Sequence, residues 1–155
     1  MKGMTMCEIP PIRMLVLTLT GRCNFKCLYC YASEQDPVDM TEETAIAAVA
    51  LAHVSKNQFL LQFSGGEPLL QFPLIRKVVD FVEKNHVNAQ MQIQTNGALL
   101  TKDIGKWLFD HNVGIGISCD GRPELMNRLR VSKDGDRSSQ KVIQAFQNLG
   151  AVNIE

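Results

Sequence analysis

The sequence predicts an α/β fold in which short strands alternate with helices and pair in parallel. Short apolar runs with β-branched residues recur along the chain, segments with helical spacing separate them, and glycine or polar residues follow each run. Connections this short call for right-handed crossovers and a parallel sheet. A length of 155 residues, with 45% hydrophobic and 21% charged residues, is typical of one soluble globular domain.

The first half of the chain contains two units of a strand and a helix. Residues 14–20 are an apolar run that Gly21 ends, which predicts strand one. Residues 41–54 are rich in alanine and open with Thr41, a residue type favoured at helix N-caps. Strand two is predicted over residues 59–63, and apolar side chains at helical spacing predict a helix over residues 72–83.

The same pattern continues in the second half. In chain order, the predicted elements are strand three at 90–95, a helix at 103–111, strand four at 113–118, a helix at 139–149 and the opening of strand five at 152–154. The polar stretch 132–138 is predicted to be a solvated loop.

Composition argues against several classes of partner. Lysine plus arginine and aspartate plus glutamate both total 16, which does not favour nucleic acid or a membrane surface and leaves small molecules or peptides. No apolar run approaches the roughly 18–20 residues of a membrane span, and residues 1–11 lack the apolar core of a signal peptide. We therefore expect a cytoplasmic protein.

Three of the five cysteines, Cys23, Cys27 and Cys30, are too close together to form disulfides with one another. In a reducing compartment such a group indicates metal ligation. Structural zinc and ferredoxin-type clusters use four protein ligands, whereas three thiolates could hold three irons of a cubane and leave the fourth open. A zinc site and buried thiols remain alternatives. We expect Cys119 to be a small core residue rather than a thiol facing a cavity, and Cys7 to have no role.

Unusual residues follow each predicted strand. The cysteine loop follows strand one, Ser64-Gly65-Gly66-Glu67-Pro68 follows strand two, Thr95-Asn96-Gly97 follows strand three and Ser118-Cys119-Asp120-Gly121 follows strand four. Because function in parallel sheets collects at the carboxyl ends of the strands, we expect these four loops to face one site. Asn-Gly is also a common plain turn, and Asp120 is expected to be a turn residue rather than a base.

The Cys-x3-Cys-x2-Cys run, the aromatic Tyr29 before its last cysteine, and the Gly-Gly-Glu-Pro loop together resemble the radical S-adenosylmethionine enzymes. The resemblance is to the peptide- and protein-modifying branch that includes anaerobic sulfatase-maturating enzymes. It implies a [4Fe–4S] cluster on Cys23, Cys27 and Cys30, S-adenosylmethionine on the open iron, and reductive cleavage of that molecule to a 5′-deoxyadenosyl radical.

The resemblance also implies contacts for S-adenosylmethionine. Tyr29 would pack beside the cluster near the adenine, and Ser64, Gly65, Gly66 and Glu67 would form the loop that passes the methionyl amino group. Ser118 would bind the ribose hydroxyls and Arg130 the methionyl carboxylate. Asn96 is a further candidate contact.

The family core is a partial barrel of six strand and helix units, and this chain ends within the fifth. We therefore expect residues 1–155 to be an incomplete core domain, with residues 1–13 as an N-terminal lead-in. The alternatives are a fragment or truncated product, a minimal form completed by a partner, and a non-catalytic module that binds iron–sulfur and S-adenosylmethionine. Expected partners are a reductant such as flavodoxin or ferredoxin, a peptide or protein substrate, and a second copy at the open edge near Val113, Ile115 and Ile117.

Overall fold

The centre of the computed structural model is a sheet of four parallel strands. The structure describes residues 11–34 and 36–150. The strands are β1 (Met14–Thr18), β2 (Phe25–Cys27), β3 (Phe59–Ser64), β4 (Ala89–Thr95), β5 (Val113–Ile117) and β6 (Arg130–Ser132). The parallel sheet has the order β1-β3-β4-β5, and β2 pairs with β6 in a separate antiparallel ladder.

Five α-helices accompany these strands. They are α1 (Glu42–His53), α2 (Phe72–Lys84), α3 (Lys102–Asp110), α4 (Pro123–Leu129) and α5 (Ser138–Gly150), and a 3-10 helix at Pro68–Gln71 leads into α2. The predicted α/β class and parallel pairing are confirmed, and each predicted strand and helix within the described residues lies within two residues of an observed one at both ends. The start of the fifth strand, at 152–154, and Cys7 lie outside the described residues.

The core fills the space between the sheet and the helices. Leu17, Leu61, Phe63 and Ile93 from the strands are buried with the apolar face of α2. That face contains every apolar position that the helical spacing predicted, namely Leu74, Ile75, Val78, Val79 and Val82. The packed sheet is therefore a rigid base from which the loops at its carboxyl edge project.

Strands β2 and β6 and helix α4 were not predicted. Strands β2 and β6 have three residues each, too few to show alternation, and their pairing joins positions far apart in the chain. Helix α4 has seven residues and Pro123 at its start, a position where proline costs no hydrogen bond. Together they link the cysteine loop to the segment after β5.

Strand β5 is the last strand of the parallel sheet among the described residues. Val113 is buried, whereas Ile115 and Ile117 are half-buried and pack against the core. Across residues 11–34 and 36–150, no helix is long and apolar enough to cross a membrane.

Candidate functional site

The four loops predicted to share a site all leave the same edge of the sheet, because β1, β3, β4 and β5 run parallel. Backbone hydrogen bonds join the first two loops directly. Gly66 N donates to Thr20 O at 2.8 Å, and Glu67 N donates to Arg22 O at 2.9 Å. The Gly-Gly-Glu-Pro loop therefore lies against the start of the cysteine loop.

The glycines of that loop allow this close approach. A Cβ on Gly66 would lie 2.2 Å from Arg22 O, and one on Gly65 would lie 2.5 Å from Thr20 O. Gly65 also has φ of +138°, which side chains rarely adopt. The two glycines are thus required by contact between two protein loops, whether or not a ligand passes them.

The cysteine loop places three reduced, half-buried thiols in one region. Cys27 ends β2, and Leu28 N donates to Leu129 O at 2.8 Å, so the middle of the loop is held by the β2–β6 ladder. Cys30 N donates to Cys27 O at 3.2 Å, which turns the chain between the last two cysteines.

Burial raises the pKa of the Cys23 and Cys27 thiols. For Cys27 the positive charge of Arg130 opposes this effect, and the charges of the other two cysteines add to it. Negative charge on the neighbouring cysteines would therefore oppose deprotonation of Cys23 and Cys27. Both thiols favour the protonated form in the absence of a cation, and ligation would release their protons.

Glu67 is a fully buried carboxyl group beneath this loop contact. Its Oε1 accepts from Thr95 Oγ1 at 2.6 Å and from Leu69 N at 3.0 Å, and its Oε2 accepts from Asn96 N at 2.8 Å. Burial raises the pKa of Glu67, and the three donors oppose that shift. The side chain of this predicted cofactor contact thus joins the end of β3 to the end of β4.

Asn96 lies both in a turn and beside the cysteine loop. Its Oδ1 accepts from Ala98 N at 2.9 Å, which fixes the orientation of the amide. Its Nδ2 then donates to Asn24 Oδ1 at 2.8 Å and points to Cys23 Sγ at 3.8 Å. The sequence left open whether Asn96 forms a plain turn or contacts S-adenosylmethionine. In the structure Asn96 forms the turn and also lies beside Cys23, a predicted ligand of the cluster.

Tyr29 and Arg130 meet at Asp120, a residue expected to act only in a turn. The Tyr29 hydroxyl donates to Asp120 Oδ2 at 2.7 Å, and Arg130 Nε donates to the same oxygen at 2.7 Å. The hydrogen bond from Arg130 is the largest influence on Asp120, and it lowers the pKa of that carboxyl. Burial and the bond to Asp120 raise the pKa of Tyr29 to about 12, so the phenol stays protonated.

The two serine candidates lie at the carboxyl ends of β3 and β5, the strands on either side of β4. Ser64 is the last residue of β3, and its carbonyl accepts from Leu19 N at 2.9 Å. Ser118 follows β5, and its Oγ lies 3.0 Å from Gln94 Nε2. The expectation that Cys119 is a core residue is wrong, because its side chain is exposed with Sγ 3.8 Å from Met126 Sδ.

The donor set suits a cluster better than a single ion. Three thiols from one loop provide soft ligands, and each could bind a different iron. Among residues 11–34 and 36–150, no three His, Cys, Asp or Glu side chains are arranged to hold one metal ion. A structural zinc site takes four ligands around one point, so the three thiols alone would leave it one ligand short.

A known protein family matches most of the chain. Residues 17–155 match the family described as the radical SAM superfamily. The chain belongs to the radical SAM superfamily. Proteins of this superfamily use a [4Fe–4S] cluster and S-adenosylmethionine, the cofactors that the sequence predicts.

Individual relatives of this radical SAM chain are longer than it is. An uncharacterised protein of Methanocaldococcus jannaschii is 38% identical over 92% of this chain and 50% of its own length. A cysteine-type anaerobic sulfatase-maturating enzyme of Clostridium novyi is 24% identical over 93% of this chain and 42% of its own length. The chain therefore spans about half or less of the length of these relatives.

A solved structure agrees with the fold. The structure described as native anSMEcpe with bound AdoMet and Cp18Cys peptide has a TM-score of 0.82 and 26% identity, covering 94% of this chain and 42% of that one. The radical SAM fold is thus confirmed, with the partial barrel represented here by four parallel strands.

Sequence reasoning missed three contributors to the site: Asn24, Thr95 and the paired role of Asp120. The only sequence signal was their position, because each lies in or beside a loop already singled out. Their partners are far away in the chain, as with Tyr29 and Asp120, which are 91 positions apart.

Proposed function

We propose that this radical SAM chain binds a [4Fe–4S] cluster through Cys23, Cys27 and Cys30 and cleaves S-adenosylmethionine reductively. The observation that carries the proposal is the contact between the cysteine loop and the Gly-Gly-Glu-Pro loop at the carboxyl edge of a parallel sheet. When bound, the two cofactors would supply one-electron cleavage of the sulfur–C5′ bond, giving methionine and a 5′-deoxyadenosyl radical that abstracts hydrogen from a substrate.

The chain's own residues would hold the cluster and set its surroundings. Three thiolates leave one iron without a protein ligand, which is where the methionyl amino and carboxylate groups would bind. Asn96 Nδ2 would donate a weak hydrogen bond to Cys23 Sγ, and Phe25 N, at 3.4 Å from the same sulfur, would donate another. Such donors stabilise negative charge on a ligating sulfur.

The remaining candidates would orient S-adenosylmethionine. Since the Glu67 side chain is engaged with the end of β4, the backbone of Ser64, Gly65 and Gly66 is the part of that loop left for the methionyl amino group. Ser118 would meet the ribose. Arg130 would offer Nη1 to the methionyl carboxylate, because its Nε and Nη2 are used by Asp120.

The substrate that we propose is a peptide or protein side chain. Support comes from the names of the similar proteins, which include a sulfatase-maturating enzyme and a structure with a bound peptide. We further propose a flavodoxin or ferredoxin as the reductant, a cytoplasmic setting, and residues 1–155 as an incomplete core domain with residues 1–13 as its lead-in.

A non-catalytic iron–sulfur and S-adenosylmethionine module is the second candidate. All of the cofactor contacts proposed above lie in the matched region, which covers 42% of the peptide-bound structure and 50% of the archaeal relative. Residues that bind the substrate in longer relatives could lie in the part that is not matched. This candidate predicts cofactor binding without turnover.

Anaerobic reconstitution with iron and sulfide, followed by reduction with dithionite in the presence of S-adenosylmethionine, separates the two candidates. We expect 5′-deoxyadenosine from the wild type and none from Cys27→Ala. Cys119→Ala is the matched control, because it removes an exposed thiol outside the cysteine loop. A brown protein that forms no product would favour the non-catalytic module, and product from Cys27→Ala would contradict the ligand assignment.

A further inference from the structure

Asp120 accepts three hydrogen bonds from two residues that belong to other segments of the chain. It follows β5, while its partners belong to the cysteine loop and to the start of β6. We propose that Asp120 is a positioning residue that fastens the cysteine loop to the end of the sheet, through the Tyr29 hydroxyl and the Arg130 guanidinium. The inference rests on the proposed function in so far as that loop carries the cluster.

The contacts form a closed set, which we call the Tyr29–Asp120–Arg130 triad. Asp120 Oδ2 accepts from both Tyr29 Oη and Arg130 Nε at 2.7 Å, and Asp120 Oδ1 accepts from Arg130 Nη2 at 3.2 Å. Arg130 and Tyr29 also contact each other through a cation–π interaction, in which Arg130 Cζ lies 5.5 Å from the centre of the Tyr29 ring. Each residue of the triad therefore contacts the other two.

The triad joins segments that the backbone alone does not join. On one side, Cys27 is paired with Arg130 in the β2–β6 ladder. On the other side, Tyr29 stands between Cys27 and Cys30 and reaches across to Asp120 at the end of the parallel sheet. The loop that contains the last two cysteines is thereby held from both β6 and β5.

The surroundings make these contacts stronger than an ordinary surface pair. The side chains of Arg130 and Asp120 are only 12% and 21% exposed, so solvent screens the pair less than it screens an exposed one. Arginine's planar fork and a carboxylate also fit each other in two places, which fixes orientation as well as distance. A positioned loop favours a three-thiol site, since ligands that are held in place by surrounding contacts keep the geometry that the site needs.

Hydrogen exchange of the metal-free, reduced chain of residues 1–155 tests the triad without any cofactor. We expect the amides of Leu28 and Cys30 to exchange about tenfold faster in Asp120→Asn and in Tyr29→Phe, because a charge-assisted bond is lost locally. Amides of β3 and β4 should keep their wild-type rates. Tyr31→Phe and Asp110→Asn are the controls, since Tyr31 is 88% exposed in the same loop and Asp110 forms an exposed pair with Lys106.

The reconstituted protein provides a second readout. We expect iron release to a chelator to be several-fold faster in both triad variants, and the EPR signal of the reduced cluster to be broader, as the ligating loop samples more arrangements. Should Asp120→Asn unfold as a whole, Tyr29→Phe decides the question, because it keeps the Asp120–Arg130 pair.

The possible failures are distinguishable. A wild type that takes up no cluster refutes the proposed function, while hydrogen exchange still decides the triad. Wild-type exchange of Leu28 and Cys30 in both variants would overturn the inference. Faster exchange combined with unchanged iron release and an unchanged EPR signal would also overturn it. In that case the triad would hold the loop in place, but its loss would not affect the cluster.

Discussion

At the residue scale, Glu67 illustrates how a side chain in a cofactor motif can act within the protein. All three of its partners are donors, and its side chain has no exposed surface. A carboxyl group has only acceptors to offer when ionised, so the match depends on both of its oxygens. The link between the loop after β3 and the end of β4 therefore depends on two correctly placed acceptor oxygens and not only on a negative charge.

Replacing Glu67 by glutamine should lower the free energy of unfolding by about 1–3 kcal/mol, because the new NH2 group would face a backbone or hydroxyl donor. Urea unfolding of the metal-free protein measures this loss. Glu34→Gln, at an exposed position, should change stability by less than about 0.5 kcal/mol. Equal midpoints for Glu67→Gln and the wild type would contradict the account of this carboxyl.

Asp120 predicts a dependence of stability on pH. Its pKa is lowered in the folded protein, so its contribution is present above the unfolded value of about 3.9 and is lost as the pH falls through the folded value. The difference in free energy of unfolding between wild type and Asp120→Asn should be about 1.5–3 kcal/mol near neutral pH and should shrink below about pH 4.

Urea unfolding at several pH values measures that difference. Asp110→Asn, which removes one half of an exposed pair on α3, should give a smaller and flatter difference. If the difference in free energy of unfolding between the wild type and Asp120→Asn stays constant down to pH 3, ionisation of Asp120 does not contribute to stability.

At the scale of elements, the sequence predicts regular structure well and contacts between loops poorly. The apolar spacing of α2 and the runs of β3 and β4 depend on local burial patterns, and each was located to within two residues. Strands β2 and β6 were missed because their pairing depends on distant residues rather than on a local period. The same reason hid the partners of Asp120 and Glu67, although their loops were correctly singled out.

The contact between the Gly-Gly-Glu-Pro loop and the cysteine loop gives a steric prediction. Gly66→Ala would bring a Cβ within 2.2 Å of Arg22 O and 2.6 Å of Arg22 C, which are backbone atoms that cannot move alone. We expect a loss of about 1–3 kcal/mol in unfolding free energy together with reduced iron uptake after reconstitution.

Gly114→Ala is the matched control for that change. Its Cβ would be 3.6 Å from the nearest atom, Met91 O, which is ordinary contact. Stability should be unchanged or slightly higher, since alanine restricts the unfolded chain. The steric account fails if Gly66→Ala is as stable and binds as much iron as Gly114→Ala.

At the scale of the whole molecule, β5, the outer strand of the sheet within the described residues, is where association with a second copy is expected. Within the described residues β5 pairs only with β4, and Ile115 and Ile117 are half-buried beside that edge. Unpaired strand edges favour association. We predict that the isolated chain forms dimers or larger species whose average mass rises with concentration in light scattering.

Gly114→Lys places a charge at an exposed position of this edge strand and should reduce the association. Lys106→Gln on α3 is a control at an exposed charged position away from the edge. A wild type that remains monomeric at every concentration would contradict the proposed association.

The central claim is that three cysteines hold a cluster with one iron open to S-adenosylmethionine. EPR spectroscopy of the anaerobically reconstituted, reduced protein, with and without S-adenosylmethionine, tests it most directly. The account predicts a [4Fe–4S] signal that changes shape when S-adenosylmethionine is added and that is lost in Cys23→Ala, Cys27→Ala and Cys30→Ala but kept in Cys119→Ala. A signal that ignores S-adenosylmethionine, or that survives removal of these cysteines, would contradict it.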